Sequence, residues 1–213
     1  MNKIKKNLQA YKNKYKKGYG IQFPESHLIR IVKHIINYEL KKNKGKMLDY
    51  GCGNGVHSEW ISSNSRWIPY GYDTDLTAIK IAKKNNFKFR NNFKFSDDLV
   101  PNLKEIFNTK FDLIICNQVL YYLDQDNLKN IIDQFSSILN KGGIFYASMM
   151  DKSNFYYKLS KTIKNSSLRK VTLNKRLKEI TYINFKNKKQ MLNDFRVFKK
   201  IQSGYYDNLI RED

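Results

Sequence analysis

The sequence is poor in cysteine, histidine and proline, and each shortage narrows the class of protein. Its 213 residues include two cysteines, three histidines and three prolines. Two cysteines cannot build a disulfide framework, so we expect reduced thiols. The histidines have no zinc-ligand spacing relative to the cysteines, so we expect no metal site. With no Pro- or Gly-rich linker, the length suits a single compact domain.

Long hydrophobic runs are also missing. No segment reaches the roughly 18 apolar residues that a membrane helix requires. The basic first twenty residues lack the apolar stretch of a signal peptide. We therefore expect no membrane association and a cytoplasmic location. Hydrophobic residues nevertheless make up 41% of the chain, which is enough for a sizeable core.

Acidic residues are scarce beside basic ones. There are 19 Asp and Glu against 40 Lys and Arg, a formal charge of +21. Such a balance is typical of proteins with an anionic partner, including nucleic acid. However, Lys greatly outnumbers Arg and Asn is abundant, a composition that an AT-rich genome imposes on exposed positions. Specific nucleic-acid readers prefer Arg, so we interpret the charge as mainly compositional.

The order of apolar runs predicts alternating strands and helices. Predicted strands are Met47–Tyr50, Ile68–Tyr72, Phe87–Phe95, Phe111–Cys116 and Ile144–Met149. Predicted helices are one beginning near Pro24, then Val56–Ser63, Leu76–Lys84 and Asp126–Leu139, the last stopped by Gly142 and Gly143. Apart from Asp112, Phe111–Cys116 is apolar, as in a strand buried on both faces of a parallel sheet. The pattern predicts an α/β fold with a doubly wound, mostly parallel sheet and helices on both faces.

The sharpest motif follows the first strand, where MLDYGCGNG places glycines at Gly51, Gly53 and Gly55. Glycines here allow a tight turn and close approach to a ligand. The dinucleotide fingerprint would need its third glycine at Val56. Asp49, two residues before the first glycine, would repel a pyrophosphate but receive a ligand's ammonium group. The motif therefore favours a sulfonium nucleoside over NAD.

A second carboxylate, Asp73, ends the predicted second strand. It lies about twenty residues beyond the glycines, as recognition of a ribose diol requires. The alternative is that Asp73 merely caps the following helix. Asp75, which is nearer that helix, is the better candidate for the cap.

These residues resemble the signatures of class I S-adenosylmethionine-dependent methyltransferases, especially the small-molecule type. The glycine motif and Asp73 match the first two signatures. The stretch Phe111–Leu123 is similar to the family's fourth-strand motif, and Lys141–Tyr146 to its turn into the fifth strand. The resemblance covers residues 19–150, and its first and fourth signatures together are specific.

The resemblance implies S-adenosylmethionine as cofactor, with S-adenosylhomocysteine as product. It implies these cofactor-binding residues: Asp49, Gly51, Cys52, Gly53, Gly55, Asp73, Thr74, Asp97 and Asn117. Asp97 would contact the adenine amino group, with Asp98 as the alternative. Asn117 would lie beside the sulfonium, although it also reads as a turn residue that ends the fourth strand.

Two tyrosines are the predicted acceptor-site residues. Tyr122 stands where many family members carry a histidine that acts as a base or orients the substrate. A phenol with a pKa near 10 is a poor base, so we predict that Tyr122 positions a substrate hydroxyl or lines the pocket. Packing in an aromatic cluster is the alternative. The segment Tyr19–Pro24 would fold over cofactor or substrate, with Tyr19 as a substrate contact.

The cysteines are expected to act by packing. The first and fourth strands are neighbours in this fold, so Cys52 and Cys116 should approach each other at the ligand-binding edge. No nearby residue supplies a cation that would lower a thiol pKa, and a redox role is disfavoured.

The predicted function is methyl transfer to oxygen or nitrogen of a small-molecule acceptor, for which an anionic compound would suit the basic surface. One alternative is an RNA methyltransferase, although Asn117 opens Asn-Gln-Val-Leu rather than the Asn/Asp-Pro-Pro-aromatic motif of adenine amino-group methylases. The other is a non-catalytic methyltransferase-like binding protein.

The predicted organisation is a single domain over residues 1–213. Residues 1–23 form a basic aromatic arm or lid, 24–150 the cofactor-binding core, and 151–213 the substrate-side and C-terminal elements. Within the last part, Phe155–Lys178 reads as partly helical, Lys188–Phe195 as a helix and Val197–Tyr206 as one more strand. A seventh strand is then missing, and the bare edge would invite association with another chain.

Overall fold

A computed structural model describes residues 3–16, 20, 22–174 and 179–206 of the chain. The helices are α1 (Lys3–Lys16), α2 (Ser26–His34), α3 (Val56–Ser63), α4 (Leu76–Asn85), α5 (Leu103–Phe107), α6 (Gln125–Ile138), α7 (Phe155–Leu159) and α8 (Lys188–Asp194). The strands are β1 (Lys44–Tyr50), β2 (Arg66–Asp73), β3 (Phe93–Phe95), β4 (Phe111–Cys116), β5 (Leu139–Ala147), β6 (Ser160–Lys161), β7 (Arg169–Leu173) and β8 (Glu179–Ile183). A π-helical turn, Ile35–Leu40, extends α2.

The main sheet has five parallel strands in the order β3-β2-β1-β4-β5. The chain order reverses between β1 and β4, which pair from Met47 with Leu113 to Asp49 with Ile115. In open parallel sheets, ligands bind beyond the carboxyl ends of the strands at this switch point. The glycine motif directly follows β1, so the fold brings it to that crevice.

Helices cover both faces of the sheet, as predicted. Alternate residues of a strand point to opposite faces. Leu48 and Ile114 therefore pack with α5 and α6 in one core cluster, and Met47, Leu113 and Ile115 pack with α2 and α3 in another. β4 is fully buried from Leu113 to Cys116, which confirms that this run is a central strand.

Predicted element boundaries change around β3 and β5. Residues of the predicted strand Phe87–Phe95 mostly form a 3₁₀ turn, Phe87–Asn92, and only Phe93–Phe95 pair with β2. Gly142 and Gly143 do not stop a helix. They lie inside β5, where a register shift separates the pair Phe111–Leu139 from the pair Leu113–Ile144. Gly142 has φ +75°, a conformation that suits a bulge.

Instead of sixth and seventh strands in the main sheet, residues 160–183 carry an antiparallel sheet of order β6-β7-β8. Among the described residues of the predicted partly helical segment Phe155–Lys178, α7 alone is helical. The predicted strand Val197–Tyr206 is wrong, because those residues have no regular secondary structure. Phe198 packs against Phe145 of β5, but Val197 and Ile201 are about half exposed, so the segment lacks the continuous apolar face of a strand. β5 remains an edge strand, and oligomerisation through it stays a prediction.

Within the described residues, no helix is long and apolar enough to cross a membrane. The same residues contain no group of three or more His, Cys, Asp or Glu side chains that could hold a metal ion.

Candidate cofactor and acceptor site

The glycine loop between β1 and α3 has a backbone that other residues would strain. Gly51, Gly53 and Gly55 have φ values of +78°, +54° and +73°, in the region that L-residues avoid. A Cβ on Gly51 would lie 2.2 Å from a methyl carbon of Val119. The Gly51 and Cys52 amides donate to the Tyr72 carbonyl at 2.8 and 3.0 Å, which ties the loop to the end of β2.

Asp49 is a buried carboxylate beneath this loop. Only 4% of its surface is exposed, and the Ser58 hydroxyl donates a 3.0 Å hydrogen bond to its Oδ2. Burial raises the pKa of Asp49 to about 7; the Ser58 hydrogen bond opposes the rise, and the charge of nearby Asp73 adds to it. An ammonium group bound here would stabilise the charged form.

Asp73 faces the same loop from the end of β2. Its Oδ2 accepts a 2.8 Å bond from the Gly53 amide and its Oδ1 a 2.9 Å bond from the Asp75 amide. Burial raises the pKa of Asp73 to about 6, although backbone hydrogen bonds from Gly53, Asp75 and Thr74 oppose the rise. These three bonds take three of the roughly four lone-pair sites of the carboxylate, so one site remains for a ligand hydroxyl. Thr74 therefore contributes to the site through its backbone amide, which donates to Asp73.

The neighbouring acid has the role predicted for it. Asp75 is the N-cap of α4, and its Oδ1 accepts from the Ala78 amide at 2.8 Å. The cap is therefore Asp75, which leaves Asp73 free for the glycine loop.

The two cysteines are buried and unreactive in character. Burial raises the pKa of both thiols well above the ordinary value, and the charge of Asp49 raises both further. The charge of Asp49, at the β1–β4 crevice, therefore acts on both thiols. They pack in separate clusters, Cys52 against Phe93 and Ile79 and Cys116 in the core under α6.

The remaining predicted cofactor residues differ in exposure. Asp97 and Asp98 follow β3 and are both exposed. Asp98 accepts from the Ser96 hydroxyl at 3.2 Å, and its carbonyl accepts from the Tyr72 hydroxyl at 2.5 Å. Asp97 is the more open of the two for a ligand, and its contact with adenine stays a prediction. Tyr19 lies outside the described residues.

The basic N-terminal arm is a helix that lies over the glycine loop. In α1, the Tyr15 hydroxyl is 2.6 Å from the position that a Cβ on Gly53 would take. Farther along, Asn7 donates to the Tyr182 carbonyl at 2.8 Å and accepts from the Tyr182 amide at 2.9 Å. Lys14 forms a 2.7 Å ion pair with Glu179. α1 therefore spans from the glycine loop to the edge strand β8.

Tyr122 is part of the same cover. Its hydroxyl lies 2.8 Å from that of Tyr11 in α1, and its ring lies against the core cluster of the antiparallel sheet beside Tyr121. Burial raises the pKa of Tyr122 well above the ordinary value, and the neighbouring Tyr121 raises it further. The phenol is therefore even less suited to act as a base than the sequence indicates. Its contact with substrate stays a prediction.

Sequence reasoning missed a polar cluster centred on Glu25. Its Oε2 accepts from Asn117 Nδ2 at 2.6 Å and its Oε1 from Gln118 Nε2 at 2.8 Å. The Glu25 amide donates to His57 Nε2 at 3.1 Å. Glu25 reads in sequence only as a residue at a helix start, since its partners lie 92 and 93 positions away. No local pattern could have linked them.

One group of basic residues lies away from the glycine loop. A shallow depression of about 480 Å³ lies at the amino ends of β1 and β2 and is lined by Lys44, Lys46, Arg66 and Lys110, among others. This is the sheet edge opposite the glycine loop. Part of that charge is balanced by Asp112, whose Oδ1 accepts from Lys42 at 2.6 Å.

A five-stranded parallel sheet of this order, with a glycine loop after β1 and an acid after β2, defines the class I methyltransferase fold. Residues 25–197 match the family described as "Methyltransferase domain". The chain belongs to that family.

Similar structures and sequences agree on this fold. The PH0226 protein from Pyrococcus horikoshii OT3 superposes with a TM-score of 0.63 over 82% of each chain at 18% identity. An S-adenosylmethionine-dependent methyltransferase from Clostridium acetobutylicum ATCC 824 has a TM-score of 0.58 at 18% identity, covering 90% of this chain and 86% of its own. At these identities the likeness shows the fold alone.

Two relatives are similar in sequence. The Actinobacillus pleuropneumoniae ubiquinone biosynthesis O-methyltransferase is 26% identical over 145 residues, 64% of this chain. The Caldanaerobacter subterraneus ribosomal protein L11 methyltransferase is 32% identical over 111 residues, 51% of this chain. The matches span only 60% and 33% of these relatives' own lengths.

Proposed function

We propose that the chain transfers the methyl group of S-adenosylmethionine to oxygen or nitrogen of a small-molecule acceptor. The observation that carries this proposal is the pair of carboxylates at the glycine loop, of which Asp49 is buried and Asp73 is partly buried. Asp49 has a pKa raised to about 7 by burial, which is unfavourable until a cationic group is bound beside it. The ammonium of a methionine moiety is such a group, and a pyrophosphate is not.

The proposed cofactor contacts follow from this fit. Asp49 and the loop Gly51–Gly55 would hold the methionine portion, with Cys52 packed beneath the loop. Asp73 and Thr74 would hold the ribose hydroxyls, and Asp97 the adenine amino group. The bound cofactor supplies an electrophilic methyl on a sulfonium, so the protein has mainly to align the acceptor and exclude water.

The cover formed by α1 favours a small acceptor. Tyr15 lies over Gly53 and Tyr11 contacts Tyr122, so the space above the glycine loop is roofed by the chain itself. The basic depression lined by Lys44 and Arg66 is at the opposite sheet edge, so a polyanion bound there would not reach the cofactor. A small acceptor agrees with the ubiquinone-pathway relative, whereas the ribosomal-protein relative keeps a protein acceptor as the second candidate.

Calorimetric titration with S-adenosylhomocysteine tests the cofactor. Wild type should bind at micromolar concentration, and Asp73→Ala should bind at least about tenfold more weakly, because a charged acceptor of hydrogen bonds is lost. Asp133→Ala, an exposed acid of α6, is the matched control and should bind like wild type. Correctly folded wild type that does not bind would contradict the proposal. Salt-sensitive RNA binding with a steep slope would favour the RNA alternative. Binding without turnover on any acceptor would favour the non-catalytic one.

A further inference from the structure

Glu25 occupies a helix N-cap but does not cap the helix. It precedes α2, and its side chain makes no hydrogen bond to the first turn. N-cap residues usually satisfy the free amides of that turn. Instead, the carboxylate turns away from the helix and accepts hydrogen bonds from the side-chain amides of Asn117 and Gln118.

Its two amide partners follow the last residue of β4, at the carboxyl edge of the sheet. Gln118 has φ +59°, a strained conformation for a residue with a side chain. The hydroxyl of Ser148, a residue just beyond β5, holds Gln118 in this conformation. The hydroxyl oxygen accepts a hydrogen bond from the backbone amide of Gln118 at 2.7 Å, and the hydroxyl donates to Asn117 Oδ1 at 3.1 Å. Strain of this kind persists where the surrounding contacts over-determine it, which is common at functional sites.

Two histidines, His57 and His27, lie near the Glu25 carboxylate. His57 does not give the carboxylate a fixed positive charge as a neighbour. Burial lowers the pKa of His57, although the charge of Glu25 opposes the shift. His57 Nε2 accepts from the Glu25 amide at 3.1 Å and lies 3.9 Å from Oε2. Its role is therefore to fix the backbone of Glu25. His27 Nε2 lies 3.8 Å from Oε2, and the His27 ring stacks on Tyr206 with centroids 4.2 Å apart.

The Glu25 carboxylate is held by two amides just beyond β4, and one of them belongs to Asn117, the residue that the family resemblance puts beside the sulfonium. Resting on that function, we propose that Glu25 is a catalytic residue that accepts the proton of an O–H or N–H acceptor. The acceptor atom forms its bond to the methyl carbon as the carbon–sulfur bond breaks. The electron pair of that bond stays on sulfur, which becomes a neutral thioether, and the acceptor's proton passes to the Glu25 carboxylate. Glu25 then returns the proton to water.

A ligand that places a cation at the methyl position tests this without knowledge of the acceptor. In sinefungin, a carbon bearing a protonated primary amine replaces the sulfonium and its methyl. S-adenosylhomocysteine has neither charge nor methyl there. Titration calorimetry should give at least about tenfold tighter binding of sinefungin to wild type, because a hydrogen bond between charged groups is gained. Glu25→Gln should bring the affinity ratio near unity and leave S-adenosylhomocysteine affinity nearly unchanged.

Glu39→Gln is the matched control. Glu39 also pairs with a histidine, His34, at 3.3 Å, and its side-chain exposure of 32% is close to the 27% of Glu25. This variant should keep the wild-type ratio. Glu25→Asp keeps the charge, so it should keep a preference for sinefungin, and it serves if Glu25→Gln does not fold by circular dichroism.

The ratio of the two affinities decides the outcome. A ratio in Glu25→Gln equal to that of wild type overturns the proposal, even if both affinities fall, because Glu25 would then act on the fold alone. Equal binding of both ligands by wild type overturns it as well. If wild type binds neither ligand, the proposed function itself fails, a result distinct from the other two.

Discussion

Replacing Asp49 with asparagine should stabilise the protein without ligand while weakening cofactor binding. The reason is that the folded chain buries a carboxylate that prefers water. Asp49 is 4% exposed, and burial raises its pKa to about 7. In the unfolded chain the carboxyl of Asp49 is in water and ionises without this penalty. Ionisation at neutral pH therefore lowers the stability of the folded state.

The size of the effect follows from the pKa. Moving a carboxyl pKa from its ordinary value near 4 to about 7 corresponds to about 4 kcal/mol at pH 8. The amide that replaces it keeps the oxygen that accepts from Ser58, but its own NH₂ must find partners, which costs about 1–3 kcal/mol if it does not. We therefore expect Asp49→Asn to raise the free energy of unfolding by about 1–3 kcal/mol at pH 8.

The pH dependence separates this cause from others. Below pH 4 the carboxyl of Asp49 is protonated in both states and carries no charge cost. Between pH 4 and pH 7 the unfolded chain ionises first, so the wild type loses stability as pH rises through the folded pKa. Asp49→Asn lacks that contribution. The variant should therefore be less stable than wild type at pH 4, by the cost of its unpaired NH₂, gain on wild type as the pH rises to 7, and keep a constant advantage above pH 7.

Urea unfolding of both proteins at pH 4, 5, 6, 7 and 8 measures the difference. Asp112→Asn is the opposite control. Burial alone would raise the pKa of Asp112, but hydrogen bonds from Lys42, the Lys46 amide and Asn140 hold it below its usual value. This variant should be less stable than wild type by the same amount at pH 5 and pH 8. The reasoning is refuted if Asp49→Asn gains nothing at pH 8, or gains equally at pH 4 and pH 8.

Two further predictions concern the loop and its cover. Gly51→Ala should destabilise the protein by about 2 kcal/mol more than Gly142→Ala, as measured by urea unfolding. Both glycines have positive φ, but only a Cβ at Gly51 would meet a neighbouring atom, a methyl carbon of Val119 at 2.2 Å. Equal losses of stability in the two variants would show that the loop adapts to the added methyl group. Tyr11→Phe removes the hydroxyl that contacts Tyr122. Because the lost hydrogen bond is worth about 1 kcal/mol, trypsin should cleave within α1 several-fold faster than in wild type. An unchanged cleavage rate would show that this contact does not hold the helix in place.

The centre of the sheet could be predicted because β4 is buried on both faces from Leu113 to Cys116. Apart from Asp112, the run Phe111–Cys116 is apolar, and its limits in the structure are those that the apolar residues indicate. The turn formed by the glycines at 51, 53 and 55 could also be predicted from the sequence, since all three have the positive φ that glycine favours. In both cases the constraint acts on consecutive residues, so sequence alone carries it.

Elements whose limits depend on distant contacts were not predictable. Gly142 and Gly143 suggest a helix stop, yet α6 already ends at Ile138 and the glycines accommodate a bulge against β4. The sequence of the arm 3–16 does not indicate where its helix docks. Its position is set by Asn7 reaching the backbone of Tyr182, 175 residues away. Only the folded sheet provides that partner.

The unfavourable features of the structure gather at one edge of the sheet. Asp49 is buried and Asp73 is partly buried, with pKa values raised to about 7 and about 6. Gln118 has a left-handed backbone nearby, in the turn after β4. A fold selected for stability alone would replace each of them, because an amide, a hydroxyl or a glycine would cost less. Their presence together is best explained by a ligand that offers an ammonium to Asp49 and hydroxyls to Asp73. Glu25, held by two amides instead of capping α2, extends the same pattern from the cofactor to the group that reacts with it.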